Sequence, residues 1–158
     1  MGAATPPIRP VFAADLAELV RMRTALWPDE SNHFVEARKR INGTPDSEFL
    51  ARFPCAVWVA ERPEGGLAGF VEIGLRSHAE GCYAGNPIGY VEGWYVDPDV
   101  RNRGIGRALM EAAEGWARAR GCTEMASDAE LDNRTSHRAH AAIGYDEVIR
   151  IVAFRKRL

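Results

Sequence analysis

Tyr95-Val96-Asp97-Pro98-Asp99-Val100-Arg101-Asn102-Arg103-Gly104-Ile105-Gly106-Arg107-Ala108-Leu109 passes from a strand, through an Asp-Pro turn, into a glycine-punctuated loop and then a helix. Ile105, Leu109, Ala112, Ala113, Trp116 and Ala117 recur at helical spacing and make one apolar face. Two glycines stand at the helix entrance, where a Cβ would block close approach. A helix N-terminus offers unpaired N–H groups and the positive end of a dipole. Arg101, Arg103 and Arg107 add positive charge, so the stretch reads as an anion site or, more simply, as a tight turn with solvated arginines. A Walker loop would need Gly-Lys-Ser/Thr, and Gly106-Arg107-Ala108 supplies no hydroxyl for magnesium. A dinucleotide fingerprint would need a third glycine where Leu109 stands.

Bulk properties narrow the class. The chain has 158 residues, enough for one domain with its own core. Its apolar fraction of 46% is ordinary for a globular protein, and a net charge of −2 gives no reason to expect nucleic acid. Cys55, Cys82 and Cys122 are odd in number and lack Cys-x-x-Cys spacing, so neither a disulfide framework nor a metal site is expected. No apolar run approaches spanning length, and the start has no signal-peptide core, so neither membrane nor secretion is expected and the cytoplasm is the default. Asn42-Gly43-Thr44 and Asn133-Arg134-Thr135 match the glycosylation pattern but carry no meaning without secretion.

Outward from the opening stretch, the chain alternates strands and helices. Ile8–Phe12 reads as a first strand after a flexible tail over residues 1–7. Asp15 reads as the cap of a helix, with Glu18 as its capping-box partner and Leu16, Leu19, Val20, Met22 and Leu26 on its apolar face. Trp27-Pro28 breaks that helix, and a second helical region runs through Phe34–Phe53, split near Gly43-Thr44-Pro45. Ala56–Glu61 and Leu67–Arg76 form an antiparallel hairpin around Pro63-Glu64-Gly65-Gly66. Ile88–Val96 is the strand that feeds the glycine loop; Cys122–Ser127 follows the long helix and lies parallel to it. Asp132 or Asn133 caps a last helix, Arg134–Ala142, which Gly144 stops. Tyr145–Ile149 and Ile151–Arg155 read as closing strands. The result is an α/β fold with one mixed sheet flanked by helices.

Arg101-x-x-Gly104-x-Gly106 resembles the Gln/Arg-x-x-Gly-x-Gly/Ala motif of the GNAT acetyltransferases, and the order of elements agrees over residues 8–158, implying one acetyltransferase domain. The resemblance implies a sheet whose central parallel strands, Ile88–Val96 and Cys122–Ser127, splay apart to admit the pantetheine arm of acetyl-CoA. It assigns backbone groups of Trp94, Tyr95 and Val96 to the pantetheine amides, with N–H groups near Trp94 and Tyr95 on the thioester carbonyl. The amides of Asn102, Arg103, Gly104, Ile105, Gly106 and Arg107 fall to the pyrophosphate. Asn133 is either a second contact to the cofactor or a plain N-cap.

Three further segments narrow the resemblance. Val91-Glu92-Gly93-Trp94-Tyr95-Val96, Cys122-Thr123-Glu124-Met125-Ala126-Ser127-Asp128-Ala129 and Asn133 to Tyr145, together with Leu26-Trp27-Pro28, look like the aminoglycoside 6′-N-acetyltransferases. Attack of an ammonium substrate on a thioester needs a proton acceptor, and a carboxylate both attracts the cation and takes the proton. Glu92 and Asp128 are the two candidates, and Gly93 beside Glu92 marks a possible bulge. The resemblance puts Trp27 in the acceptor site with them; a flat aromatic face and several carboxylates suit a polycationic sugar. Asp29, Glu30 and Glu80 are either further negative charge for it or simply solvated. His140 stands where many relatives carry a tyrosine acid, and reads either as that acid or as a packing histidine; His33, His78 and His137 read as loop or surface residues. His78-Ala79-Glu80-Gly81-Cys82-Tyr83-Ala84-Gly85-Asn86 departs from the Asp/Tyr-rich segment that those enzymes often carry between the third and fourth strands, and bears on the acceptor. Two other functions stay open: the same transfer to a polyamine, small metabolite or protein N-terminus, and a non-catalytic acyl-CoA-binding module. The family is commonly dimeric, and Tyr145–Phe154 offers apolar strands for exchange between two copies.

Overall fold

In a computed structural model, which describes residues 6–41, 54–83 and 86–158, the first strand is only Ile8–Pro10 (β1). After a single 3-10 turn, α1 runs Leu16–Leu26 and α2 His33–Lys39. β2 (Cys55–Glu61), β3 (Leu67–Arg76) and β4 (Ile88–Val96) follow, then α3 (Ile105–Arg118), β5 (Met125–Ser127) and α4 (Arg134–Ala142). The strands lie in the order β1-β2-β3-β4-β5, antiparallel except for the parallel β4–β5 pair. The split point of the second helical region, Gly43-Thr44-Pro45, lies outside the described residues.

The sheet separates two cores. On one face α3 buries Ile105, Leu109, Met110, Ala113 and Ala117 against Val71, Ile73 and Val91. On the other, Leu19 and Met22 of α1 and Ala37 of α2 pack on Val57, Val59 and Phe70. Each fully buried aliphatic side chain contributes about 1.5–3 kcal/mol, so the two layers hold the strands that carry the site in a fixed register.

Two features of that register matter most. β3 and β4 pair from Gly69↔Val96 to Glu72↔Gly93 and resume at Ile73↔Val91, which leaves Glu92 without a partner in a β-bulge. β5 pairs with β4 only from Gly89↔Met125 to Val91↔Ser127. Beyond Val91 the two parallel strands part, as the splayed sheet requires.

The closing strands do not form: residues 145–158 carry no strand, and Ile151, Val152 and Phe154 are exposed. Their apolar pattern has strand propensity, but β5 contributes only three residues at that edge of the sheet. Asp15 also departs from its expected role. Its carboxylate accepts from Arg9 (2.7 and 3.0 Å) and from the Phe12 N–H (2.7 Å), so it secures the turn before α1 without capping the helix. Glu18 accepts from Arg21 and from the Leu67 N–H at 3.1 Å, which ties α1 to the start of β3.

Candidate active site

β4 is followed by Asp97, a buried carboxylate that accepts hydrogen bonds from Arg21 of α1 (2.9 and 3.1 Å) and Arg62 of the β2–β3 turn (2.8 Å). Burial pushes its carboxyl up, but the two guanidiniums outweigh burial and hold it below the usual range. Arg101 Nε donates to the Val96 carbonyl at 2.8 Å and folds the loop back on the strand. Asn102 (φ 61°) and Gly104 (φ 83°) then take the left-handed conformation that turns the chain into α3.

Gly104 caps α3 with no side-chain hydrogen bond, and the first helical bond runs from the Ala108 N–H to the Gly104 carbonyl (3.0 Å). The amides of Ile105, Gly106 and Arg107 therefore have no partner within the helix, and no acid stands in its first turn. An anion fits such an end. At Gly106 a Cβ would stand 3.0 Å from the Trp94 ring, so glycine here lets helix and strand approach. The arginines act differently from the sequence expectation. Arg107 donates to the Ala142 carbonyl at 2.7 Å, joining α3 to the end of α4, and Arg103 is exposed.

Trp94 continues this line, with its ring edge-on to His140 at 5.2 Å between centroids. His140 Nδ1 donates to the Ser136 carbonyl at 2.9 Å, and Nε2 is hydrogen-bonded with the Ser127 hydroxyl at 2.8 Å. Both ring nitrogens are engaged, and the ring joins α4 to the end of β5. Asn133 is the cap of α4, its side-chain oxygen accepting from the Ser136 N–H at 3.0 Å.

Glu92, carried out of register by the bulge, meets Arg76 at the end of β3. Arg76 Nε and Nη2 donate to its two oxygens at 2.9–3.2 Å. The Arg76 guanidinium carbon lies 3.4 Å from the centroid of Tyr90, and the Tyr90 hydroxyl donates to Asp128 Oδ2 at 3.0 Å. Burial, then the Asp128 charge, pushes the Tyr90 phenol up to about 12, so it remains a donor at neutral pH. The two candidate carboxylates are thus ends of one chain: Glu92, Arg76, Tyr90, Asp128. Arg76, Tyr90, Asp128 and His140 border a cleft of about 650 Å³ whose other wall includes residues 145–151.

Trp27 packs against β4 at Gly93, next to Glu92. A Cβ at Gly93 would stand 2.5 Å from the Trp27 ring, so glycine again permits the contact. Arg23 stacks over that ring at 4.6 Å and pairs with Glu72, a carboxylate only 2% exposed that also pairs with Arg40. A buried carboxylate persists only when charged partners satisfy it. This cluster is the floor beneath Trp27. His33, expected in a loop or at the surface, is instead buried at the start of α2 and bonds the Trp27 carbonyl through Nε2 at 3.0 Å.

Sequence reading missed Arg76, Tyr90, Glu72 and Ser127. Their signal was present for the first and third: Glu72 and Arg76 are charged residues four apart on an otherwise apolar strand, hence on one face. Asp29, Glu30 and Glu80 are exposed. Among the described residues, no group of three His, Cys, Asp or Glu is placed to hold a metal, and no helix is long and apolar enough to cross a membrane.

A splayed parallel strand pair, a bulge beside the split and an uncapped helix behind a glycine turn together define a GNAT-type acetyltransferase site. The chain belongs to the GNAT acetyltransferase family, whose model matches residues 19–145. An aminoglycoside N(6′)-acetyltransferase type 1 from Klebsiella aerogenes is 46% identical over 156 residues, 98% of each chain. The solved structure of AAC(6′)-Iy with the bisubstrate analog CoA-S-monomethyl-acetylneamine superposes with a TM-score of 0.81 at 28% identity, covering 96% of this chain and 98% of that one. AAC(6′)-Ih from Acinetobacter baumannii gives 0.81 at 31% identity over 96% and 98% of the two chains.

Proposed function

We propose that this protein transfers the acetyl group of acetyl-CoA to the 6′-amine of an aminoglycoside by direct attack in a ternary complex. The observation that carries the reading is the bulge: Glu92 leaves the β3 ladder within one residue of where β4 loses β5. Its carboxylate, held by Arg76, stands beside the gap meant for the cofactor's arm. Acetyl-CoA supplies an activated acyl carbon when bound.

The chain's own residues do the rest. Amides from Asn102 to Arg107 hold the pyrophosphate at the α3 terminus, with Asn133 at the start of α4 as a further contact. Backbone groups of Trp94, Tyr95 and Val96, on the edge that β5 abandons, align the arm and polarise the thioester carbonyl. Glu92 and Asp128 attract the acceptor's ammonium, and Glu92 accepts its proton directly or through water. Trp27 gives the sugar a flat wall. A thiol of ordinary pKa about 8.5 leaves without help from an acid, so His140, engaged with Ser127 and Ser136, serves to hold β5 against α4.

The test is a panel of amines assayed by CoA release. Turnover is expected with kanamycin or tobramycin; turnover with a polyamine and with neither antibiotic overturns the aminoglycoside reading. We also read the exposed apolar residues Ile151, Val152 and Phe154 as an arm that adds to a second copy, giving a homodimer in the cytoplasm. Sedimentation velocity should give twice the chain mass, and removal of residues 146–158 should give the monomer. A full-length monomer at micromolar concentration would count against it.

A further inference from the structure

Arg76 is a cation already seated on the carboxylate that the proposed reaction needs for another cation. Its three contacts to Glu92 at 2.9–3.2 Å cover both carboxylate oxygens, so an acceptor ammonium cannot take the same positions while the guanidinium holds them. The contact is also reversible in kind. The side chains are 43% and 34% exposed, a range in which ion pairs are weak, and the guanidinium's other contact is the face of the buried Tyr90 ring. Tyr90 in turn holds Asp128. One arginine therefore sits between the two carboxylates that an acceptor must engage.

We propose that Arg76 determines acceptor specificity by charge: it occupies Glu92 in the free enzyme and must be displaced by the incoming ammonium. This rests on the reading of Glu92 as the carboxylate that receives the amine. A monoamine must displace the guanidinium through one contact. An acceptor with several ammonium groups engages Asp128 at the same time, and the second attraction offsets the displacement. The pair thus favours polycations over simple amines, at some loss of affinity for both.

Arg76→Gln tests this. It is expected to lower the acceptor Kd by about three- to tenfold, the size of one half-exposed ion pair plus one cation–π contact. The gain should be larger for a monoamine such as glucosamine than for tobramycin. Arg76→Lys keeps the charge without the fork and should fall between. Arg150→Gln removes a positive charge from the wall of the same cleft, where Arg150 pairs with Glu147, and should produce a smaller change. In a Glu92→Gln background, binding measured by calorimetry should no longer respond to Arg76→Gln. A response of equal size there, or an equal response to Arg150→Gln, would reduce the effect to general charge and overturn the proposal. A weaker Kd in Arg76→Gln would also overturn it. Full turnover in Glu92→Gln alone would instead remove the reading beneath it, so the two failures are distinct.

Discussion

Glu92→Gln is expected to lower kcat by about two to four orders of magnitude at neutral pH, the range for loss of a positioned general base. The Michaelis constant for acetyl-CoA should stay within about twofold, because the cofactor contacts lie on the backbone of β4 and at α3. The substitution keeps the size of the side chain and its place in the bulge. It removes the one property that glutamine lacks, the ability to take a proton from an ammonium. Three orders of magnitude correspond to about 4 kcal/mol of barrier. The measurement is steady-state kinetics with each substrate varied in turn. A kcat within threefold of the parent would take Glu92 out of the chemistry and leave it, at most, a binding group.

Gly104→Val should act on the other substrate. Gly104 has φ 83°, a conformation that costs a non-glycine residue about 1–2 kcal/mol and a β-branched one more. The chain relieves that strain by shifting the loop, and the amides that follow Gly104 are the ones offered to the pyrophosphate. Expressed wholly in binding, the cost amounts to about a 5- to 30-fold rise in the Michaelis constant for acetyl-CoA. The acceptor's constant should hold. A thermal melt separates loss of the loop from loss of the fold, since the exposed loop lies outside both cores. A rise confined to the acceptor would contradict the assignment of this loop to the cofactor.

Much of this arrangement is legible in the chain because the informative signals are local. Ile88–Val96 and Arg134–Ala142 are read to the residue, since a turn, a cap or a glycine bounds each of them. Gly93 beside a charged residue in an apolar strand announces the bulge. What is not legible depends on partners distant in sequence. Residues 145–158 have the pattern of strands, and no pattern states whether an edge is free to receive them. Asp15 has the spacing of a capping box, but Arg9 and the Phe12 amide claim its carboxylate. Arg76 is legible as a charge on a strand face and illegible as the partner of Glu92, because that pairing follows from a register interrupted by one residue.

That single extra residue also inverts the phase of β4. Before it, Gly89 and Val91 point toward α3; after it, Trp94 and Val96 do, while Gly93 and Tyr95 turn to the α1 side. An unbroken alternation from Val91 would have sent Gly93 toward α3 and Trp94 into the wall that Trp27 occupies. Glu92 is therefore the point at which an odd-numbered strand becomes an even-numbered one. Deleting Glu92 would join Val91 directly to Gly93, closing the ladder into a simple alternation with both walls kept as they are. What the deletion would take away is the one carboxylate that stands outside the ladder beside the split.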